Sequence, residues 1–409
     1  MSLGSLFFLF EGKMNFIFIS PNFPYTYWNF CDRLKQNGVN VLGIGDSSYD
    51  ALNINLKNSL TEYYKVDSLQ DYDQVFKAVA FFSFKYGKID WIESNNEFWL
   101  EQDARLRTDF NINTGIKSDK IANYKSKYQM KEFYRKAGVP VARIQHVTTI
   151  KKAQEFVKLT GYPVFAKPEI GVGATDTFKI TNDEELQDFF NRKPDFPYVI
   201  EEFVTGDICS YDAIVDNEGN PLFESMTVWP PSVADIVKYQ LDLMYYTASD
   251  LPAGLRRLGR AAVKAFEVQN RFVHLEFFRL SADKPGLGKK GSFVGLEVNM
   301  RPAGGYTPDM MNWAHSTDVY QIWADMVTSN KRLLPDSNQH QYCVFASRRD
   351  IHDYVHSHEE IMERYGDKML MCERMPDMMA PQMGDQMYTA YAADLKKTLE
   401  FIKFVHQQK

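Results

Sequence analysis

The sequence predicts an α/β protein that continues into α+β units, and three observations carry that reading. Apolar runs of strand length alternate with helix-length amphipathic stretches over the first hundred residues. Charged helices and short strand-like runs then follow without strict alternation. Two late strand-like runs, around Glu276 and around Glu297, interleave polar with apolar residues as half-buried strands do.

Residues 15–20 (NFIFIS) are a continuous apolar run, the pattern of a buried parallel strand. A helix over residues 28–34 stops at Gly38, where glycine suits a helix end. Residues 39–44 read as the next strand, 72–86 as a helix and 89–93 as a further strand. Such alternation predicts a parallel sheet with helices on both faces. The dinucleotide fingerprint GxGxxG is absent after the first strand, where Ser20-Pro21-Asn22-Phe23-Pro24 stands, so NAD is not assigned.

A second unit begins near Ile116. Residues 128–137 form a charged amphipathic helix stopped by Gly138-Val139-Pro140, and residues 150–159 form another closed by Gly161. Residues 141–144 between them are strand-like, as are 163–168 and 198–204. Residues 284–291 (KPGLGKKG) look like a mobile hairpin tip between the strands of Glu276 and Glu297. Residues 342–346 form another strand, and 395–405 a final amphipathic helix.

At 409 residues the chain exceeds one core and divides into two or three domains. Its 44% hydrophobic and 24% charged residues are those of an ordinary globular protein. A net charge of −6 leaves no basic excess for a nucleic-acid backbone. Four scattered cysteines, without CxxC spacing, argue against zinc and a disulfide framework and for a reducing, cytoplasmic setting. The apolar run at residues 6–10 has no basic residue before it and no cleavage site after it, and is too short to span a bilayer. Residues 1–13 read as an upstream tail, and no membrane partner is expected. A homodimer is left open.

The chemistry concentrates late in the chain. Alternation of Leu296, Val298 and Met300 places Glu297, Asn299 and Arg301 on one face of a strand over residues 296–302. A carboxylate and an amide oxygen suit a hard cation, with Glu276 supplying a second carboxylate, while Arg301 can fork onto a phosphate or carboxylate. A solvated polar face on an ordinary hairpin is the bland alternative. Upstream, Lys167 ends an apolar strand and precedes Gly171-Val172-Gly173-Ala174-Thr175, where backbone N–H groups can approach phosphate oxygens. Residues 198–204 end in Glu201-Glu202-Phe203-Val204, with Asp207 beyond a Thr205-Gly206 turn.

Taken in order, these pieces resemble the ATP-grasp superfamily, in particular its carboxylate–amine ligase and biotin-carboxylase-like branch. The likeness runs from about Asp90 to about Asp318 and is specific as an ordered set. It implies a Rossmann-like pre-ATP-grasp domain (residues 14–115) followed by a two-lobed ATP-grasp domain. The small lobe would cover residues 116–200 and the large lobe 201–335. Residues 336–409 would complete the large lobe or form a small appended subdomain. By the same resemblance Lys127 and Lys167 contact nucleotide phosphates, and Gly171, Gly173 and Thr175 belong to the loop closing over them. The backbone at Phe203 and Val204, flanked by Glu201 and Glu202, reads adenine. Asp207 holds ribose, within a residue of register. Glu276, Glu297 and Asn299 hold Mg²⁺ (or Mn²⁺), and Arg301 stands by the γ-phosphate. Lys125 competes with Lys127, which fits the family spacing to Gly138-Val139-Pro140 better. The glycine loop is poorer than that of biotin carboxylases, and no biotin-carrier motif is present.

The implied activity is ATP-dependent activation of a small carboxylate, plausibly an amino acid, to an acyl phosphate, followed by attack of an amine. The alternatives are a kinase-like member forming no amide and a non-catalytic nucleotide-binding regulator. His274 is either a support for Glu276 or a hydrogen-bonded structural residue. Trp229, Asp235, Lys238, Tyr239, Tyr245 and Tyr246 either line an acceptor pocket or pack, and the methionines from Met362 to Met387 either form an adaptable surface or fill core.

Overall fold

The computed structural model describes residues 12–171, 176–229, 240–376 and 379–409. The tail reading of residues 1–13 therefore lies almost wholly outside the described residues. The same holds for Gly173 and Thr175, and for Asp235, Lys238 and Tyr239.

Two compact units emerge. The first comprises the chain up to Ser94, with residues 99–118 and 327–329. Its strands β1 (Asn15–Ile19), β2 (Asn40–Gly45), β3 (Glu62–Lys65) and β4 (Trp91–Glu93) form a parallel sheet in the order β3-β2-β1-β4. Helix Tyr72–Tyr86 sets Val75, Ala78, Val79 and Phe82 against Ile17, Ile19, Leu42 and Ile44. It starts where Asp71 accepts from the Asp73 and Gln74 amides, and it ends at Gly87, whose φ is +88°.

The second unit holds residues 95–98, 119–326 and 330–409. Strands β5 (Ile144–His146), β6 (Val164–Pro168), β7 (Phe178–Ile180) and β8 (Tyr198–Glu202) form an antiparallel sheet in the order β5-β8-β6-β7. Helices Ile150–Thr160 and Asp183–Arg192 cover one face, packing Phe156, Leu186 and Phe189 on Val164, Ala166 and Ile200. Side chains alternate along a strand, so Phe165, Lys167 and Glu201 are left to the opposite face. A nine-stranded sheet follows from β9 (Gly206–Val215), β10 (Pro221–Ser225), β11 (Thr227–Trp229), β12 (Met244–Thr247), β13 (Arg271–Leu280), β14 (Phe293–Asn299), β15 (Tyr342–Arg348), β16 (Met369–Arg374) and β17 (Gln386–Ala392). The order is β14-β13-β9-β11-β12-β15-β17-β16, with β10 on β9. The last 70 or so residues thus share a sheet with the Glu276 and Glu297 strands.

Three expectations change. The strand expected at residues 141–144 begins only at Ile144, because Val141 bridges Gly295 while the Arg143 carbonyl accepts from the Glu202 amide. The strand expected over residues 296–302 ends at Asn299, so Arg301 stands beyond it and its orientation is set by its own contacts rather than by the pleat. Glu276 pairs with Glu297 but Phe277 with Gly295, leaving Leu296 as a bulge that breaks strict alternation.

Candidate active site

One cavity of about 540 Å³ in the second unit gathers most of the candidate residues. Its described lining includes Lys125, Lys127, Lys167, Gly171, Glu201, Glu202, Val204, Glu276, Glu297, Asn299 and Arg301. The bulge lets Leu296 and Glu297 both face it.

Lys127 opens helix Lys127–Lys136, whose N-terminus is capped by Ser126 Oγ accepting from the Gln129 amide. Its Nζ lies 3.1 Å from Glu297 Oε1 and donates to the Gly171 carbonyl at 2.8 Å. Lys125 instead holds Glu97 Oε1 at 2.9 Å. Both lysines reach the cavity, but Lys127 is the one on the Glu297 carboxylate.

Lys167 ion-pairs with Glu201, which also takes Lys131 at 2.6 Å. Burial works against the charge on Lys167, yet Glu201, Glu297 and Glu276 hold its pKa above the ordinary lysine value. Burial lowers Lys131, and the neighbouring Lys167 adds to that against the pull of Glu201. Glu201 itself, raised by burial, is brought down to about 2 by the two lysines. Lys131 was legible in principle: it lies four residues after Lys127, on the same helix face.

Glu276 and Glu297 face each other across β13 and β14. His274 backs Glu276, with Nδ1 2.6 Å from Asp212 Oδ1 and Nε2 3.3 Å from Glu276 Oε1. Burial disfavours charge on this imidazole, but Asp212 and Glu276 raise its pKa to about 9. Burial likewise raises Glu276, and His274, Arg301 and Lys167 together hold it below its usual range. Both readings of His274 therefore meet in one residue, which is hydrogen-bonded and supports Glu276.

Asn299 Nδ2 is 3.4 Å from Glu276 Oε1, and its Oδ1 accepts from Arg301 Nη2 at 3.4 Å. Arg301 also donates to the Pro302 carbonyl at 2.8 Å and sits 3.7 Å from Glu97 Oε2. Glu97 lies in the short segment 95–98 of this unit and carried no sequence signal.

At the segment 201–204 expected to read adenine, here termed the hinge segment, Val204 and Glu202 line the cavity, whereas Phe203 does not, and its carbonyl accepts from Lys284 at 2.9 Å. Lys284 also pairs with Glu202 Oε1 at 3.2 Å, so the hairpin tip at residues 284–291 is tied to the hinge. Asp207 is exposed and absent from the lining, which takes Ile208 instead. Alternation along β9 turns one inward and the other outward, and the ribose role assigned to Asp207 does not fit this placement.

The carboxylate pair with an amide is an all-oxygen donor set of the kind a hard divalent cation takes, usually completed by phosphates. Among the described residues no cluster of three or more His, Cys, Asp or Glu forms an independent metal site. None of the described helices is long and apolar enough to cross a membrane.

A family model described as an ATP-grasp domain matches residues 124–228, the stretch from just before Lys127 to the start of β11. The chain is 23% identical over 283 residues to an L-arginine-specific L-amino acid ligase of Bacillus subtilis, covering 67% of this chain and 65% of that one. It is 23% identical over 291 residues to the alanine–anticapsin ligase of Bacillus subtilis (strain 168), covering 64% and 58%. The chain thus spans less than two thirds of the length of either relative. Its fold matches an L-amino acid ligase from Bacillus licheniformis with a TM-score of 0.68 at 13% identity, over 96% of this chain and 97% of that one. Residues 124–228 thus match an ATP-grasp domain, and the chain resembles L-amino acid ligases in sequence and in fold.

Proposed function

We propose that this chain is an ADP-forming ligase that activates a small carboxylate with ATP and joins it to an amine. The observation that carries the reading is the convergence of Lys127, Lys167 and Arg301 on the paired carboxylates Glu276 and Glu297 in one cavity. Phosphoryl transfer asks for positioning and charge neutralisation rather than a protein nucleophile, and these residues supply both.

The first step moves the γ-phosphoryl group of ATP onto a carboxylate oxygen, with the β–γ bond breaking and ADP leaving. In the second, an amine attacks the acyl carbon, phosphate departs, and the amine loses a proton to form the amide. Lys127 and Lys167 are placed to hold phosphate oxygens through both steps, and Arg301 to fork onto the carboxylate and the incoming phosphoryl group. Glu276, Glu297 and Asn299 would hold Mg²⁺, which neutralises and orients the nucleotide phosphates when bound. His274, charged between Asp212 and Glu276, keeps the Glu276 carboxylate ionised and aimed. Val204, Phe165 and Phe278 give the hinge end an apolar slot suited to an adenine face. Gly171, whose carbonyl already meets Lys127, begins the loop that would exclude water from a labile acyl phosphate.

The test is ATP consumption with magnesium, separating ADP from AMP, across pooled carboxylic acids with and without pooled amines. ADP and phosphate released only when an acid is present is the expected result. AMP and pyrophosphate, or no acid dependence, would overturn the reading.

A further inference from the structure

Resting on that reading, we propose that the end of the cavity beyond Arg301 is a side-chain subsite selecting carboxylic substrates with an apolar side chain, such as aliphatic, thioether or aromatic amino acids. The cavity has two unlike ends. Phe278 and His274 both line it, four residues apart on β13, so about 14 Å of strand separates the hinge end from the end near Arg301. Past His274 the lining turns to Trp229, Leu243, Tyr245 and Met383, with Gln382 beside them.

These side chains form a backed wall. The Trp229 ring meets His274 edge-on at 5.3 Å between centroids and stacks near Tyr245 at 6.2 Å. Tyr245 in turn stacks on Phe345 at 4.7 Å, and the whole group packs on Met310 and Met387 in one buried cluster. Gly304 and Gly305 complete the floor. A methyl group on Gly305 would come 3.2 Å from Met383 Cε and 3.3 Å from Tyr245 Oη, so bare backbone closes against the wall there.

The charged side chains stand along one edge of this chamber, where His274 is paired with Asp212 and Glu276, and Glu97 Oε2 and Arg301 Nε are 3.7 Å apart. An acid whose carboxylate meets Arg301 therefore lays its remaining atoms against the apolar wall. A charged side chain would lose its hydration there and find no ion-pair partner in the described lining past His274, where Gln382 and the Tyr245 hydroxyl offer polar atoms but no charge. Met383 is half-buried and flexible, so the wall can fit side chains of several shapes, which gives one member of the methionine-rich segment a task beyond core filling.

The experiment uses the full chain with ATP, magnesium and hydroxylamine as the amine, measuring hydroxamate and ADP across methionine, leucine, phenylalanine, serine, aspartate and arginine. The three apolar acids should exceed the three polar ones in kcat/KM by about tenfold or more. Met383→Glu should cut the methionine-to-serine ratio by a similar factor, and Trp229→Ala should cut the phenylalanine-to-serine ratio, with circular dichroism confirming that both variants fold. Equal or better turnover of the polar acids, or ratios unmoved in both variants, would overturn the subsite and leave the ligase reading standing. Absence of ADP and hydroxamate with every acid would remove both.

Discussion

Lys131 Nζ lies 2.6 Å from Glu201 Oε1, and both side chains are almost wholly buried. Lys167 shares the same carboxylate, so one buried anion holds two cations, of which Lys167 lines the cavity. Removing a member of a buried ion pair is costly chiefly because of the charge left behind. Lys131→Met leaves a neutral Glu201–Lys167 pair, whereas Glu201→Gln leaves two lysines with no shared counter-ion. We expect Glu201→Gln to lose about 3–5 kcal/mol in urea unfolding and Lys131→Met clearly less. The opposite order would show that the triad is not held by Glu201.

The same carboxylate predicts an acid limb. Its pKa falls from 4.5 to about 2 on folding, so its contribution is fully present above pH 4.5 and is lost as pH drops toward 2. At pH 3 the wild-type chain should have lost about 2 kcal/mol from this group alone. Unfolding curves at pH 6 and pH 3 should therefore show the gap between wild type and Glu201→Gln narrowing by about that amount. A gap that stays constant would place Glu201 near its ordinary pKa.

Gly259 offers a test of packing against propensity. In the interior of helix Ala253–Ala265, alanine would normally gain up to about 1 kcal/mol over glycine. Here a Cβ would stand 2.3 Å from Tyr211 Cγ, against a ring that is fully buried and anchored through its hydroxyl to Glu224 at 2.8 Å. Overpacking of this kind costs about 1–3 kcal/mol and outweighs the propensity gain. Gly259→Ala should lower the unfolding midpoint, and a stabilised variant would show that the ring can yield.

What was legible in the sequence was whatever a short stretch of chain fixes by itself. Lys167 at the end of an apolar run and the Glu297-x-Asn299 alternation announced their side-chain directions, and the cavity collects them. Lys131 was within reach by helix spacing, since it shares a face with Lys127. Glu97 and Met383 were not, because they meet the cavity only through long-range packing of distant segments. The Leu296 bulge escaped for a different reason: period-two alternation assumes an unbroken ladder, and one extra residue on β14 leaves no mark in the residue pattern. Asp207 shows the cost of a one-residue register choice, which exchanges the inward and outward faces of β9.

The competing lysines near residue 126 separate by what each one holds. Lys127 touches Glu297 and the Gly171 carbonyl, and on the proposed function it would trade those contacts for phosphate oxygens. Lys125 is spent on Glu97, whose other oxygen faces Arg301. Lys127→Ala should raise the KM for ATP and lower kcat/KM for ATP at least tenfold, joining Lys167→Ala and Glu297→Gln, which should each abolish turnover with the fold intact. Lys125→Ala frees Glu97 to pair more closely with Arg301, so its effect should fall on the KM for the acid rather than on that for ATP. Steady-state kinetics with each substrate varied in turn decides the matter. If Lys125→Ala instead damages ATP binding and Lys127→Ala does not, the two assignments must be exchanged.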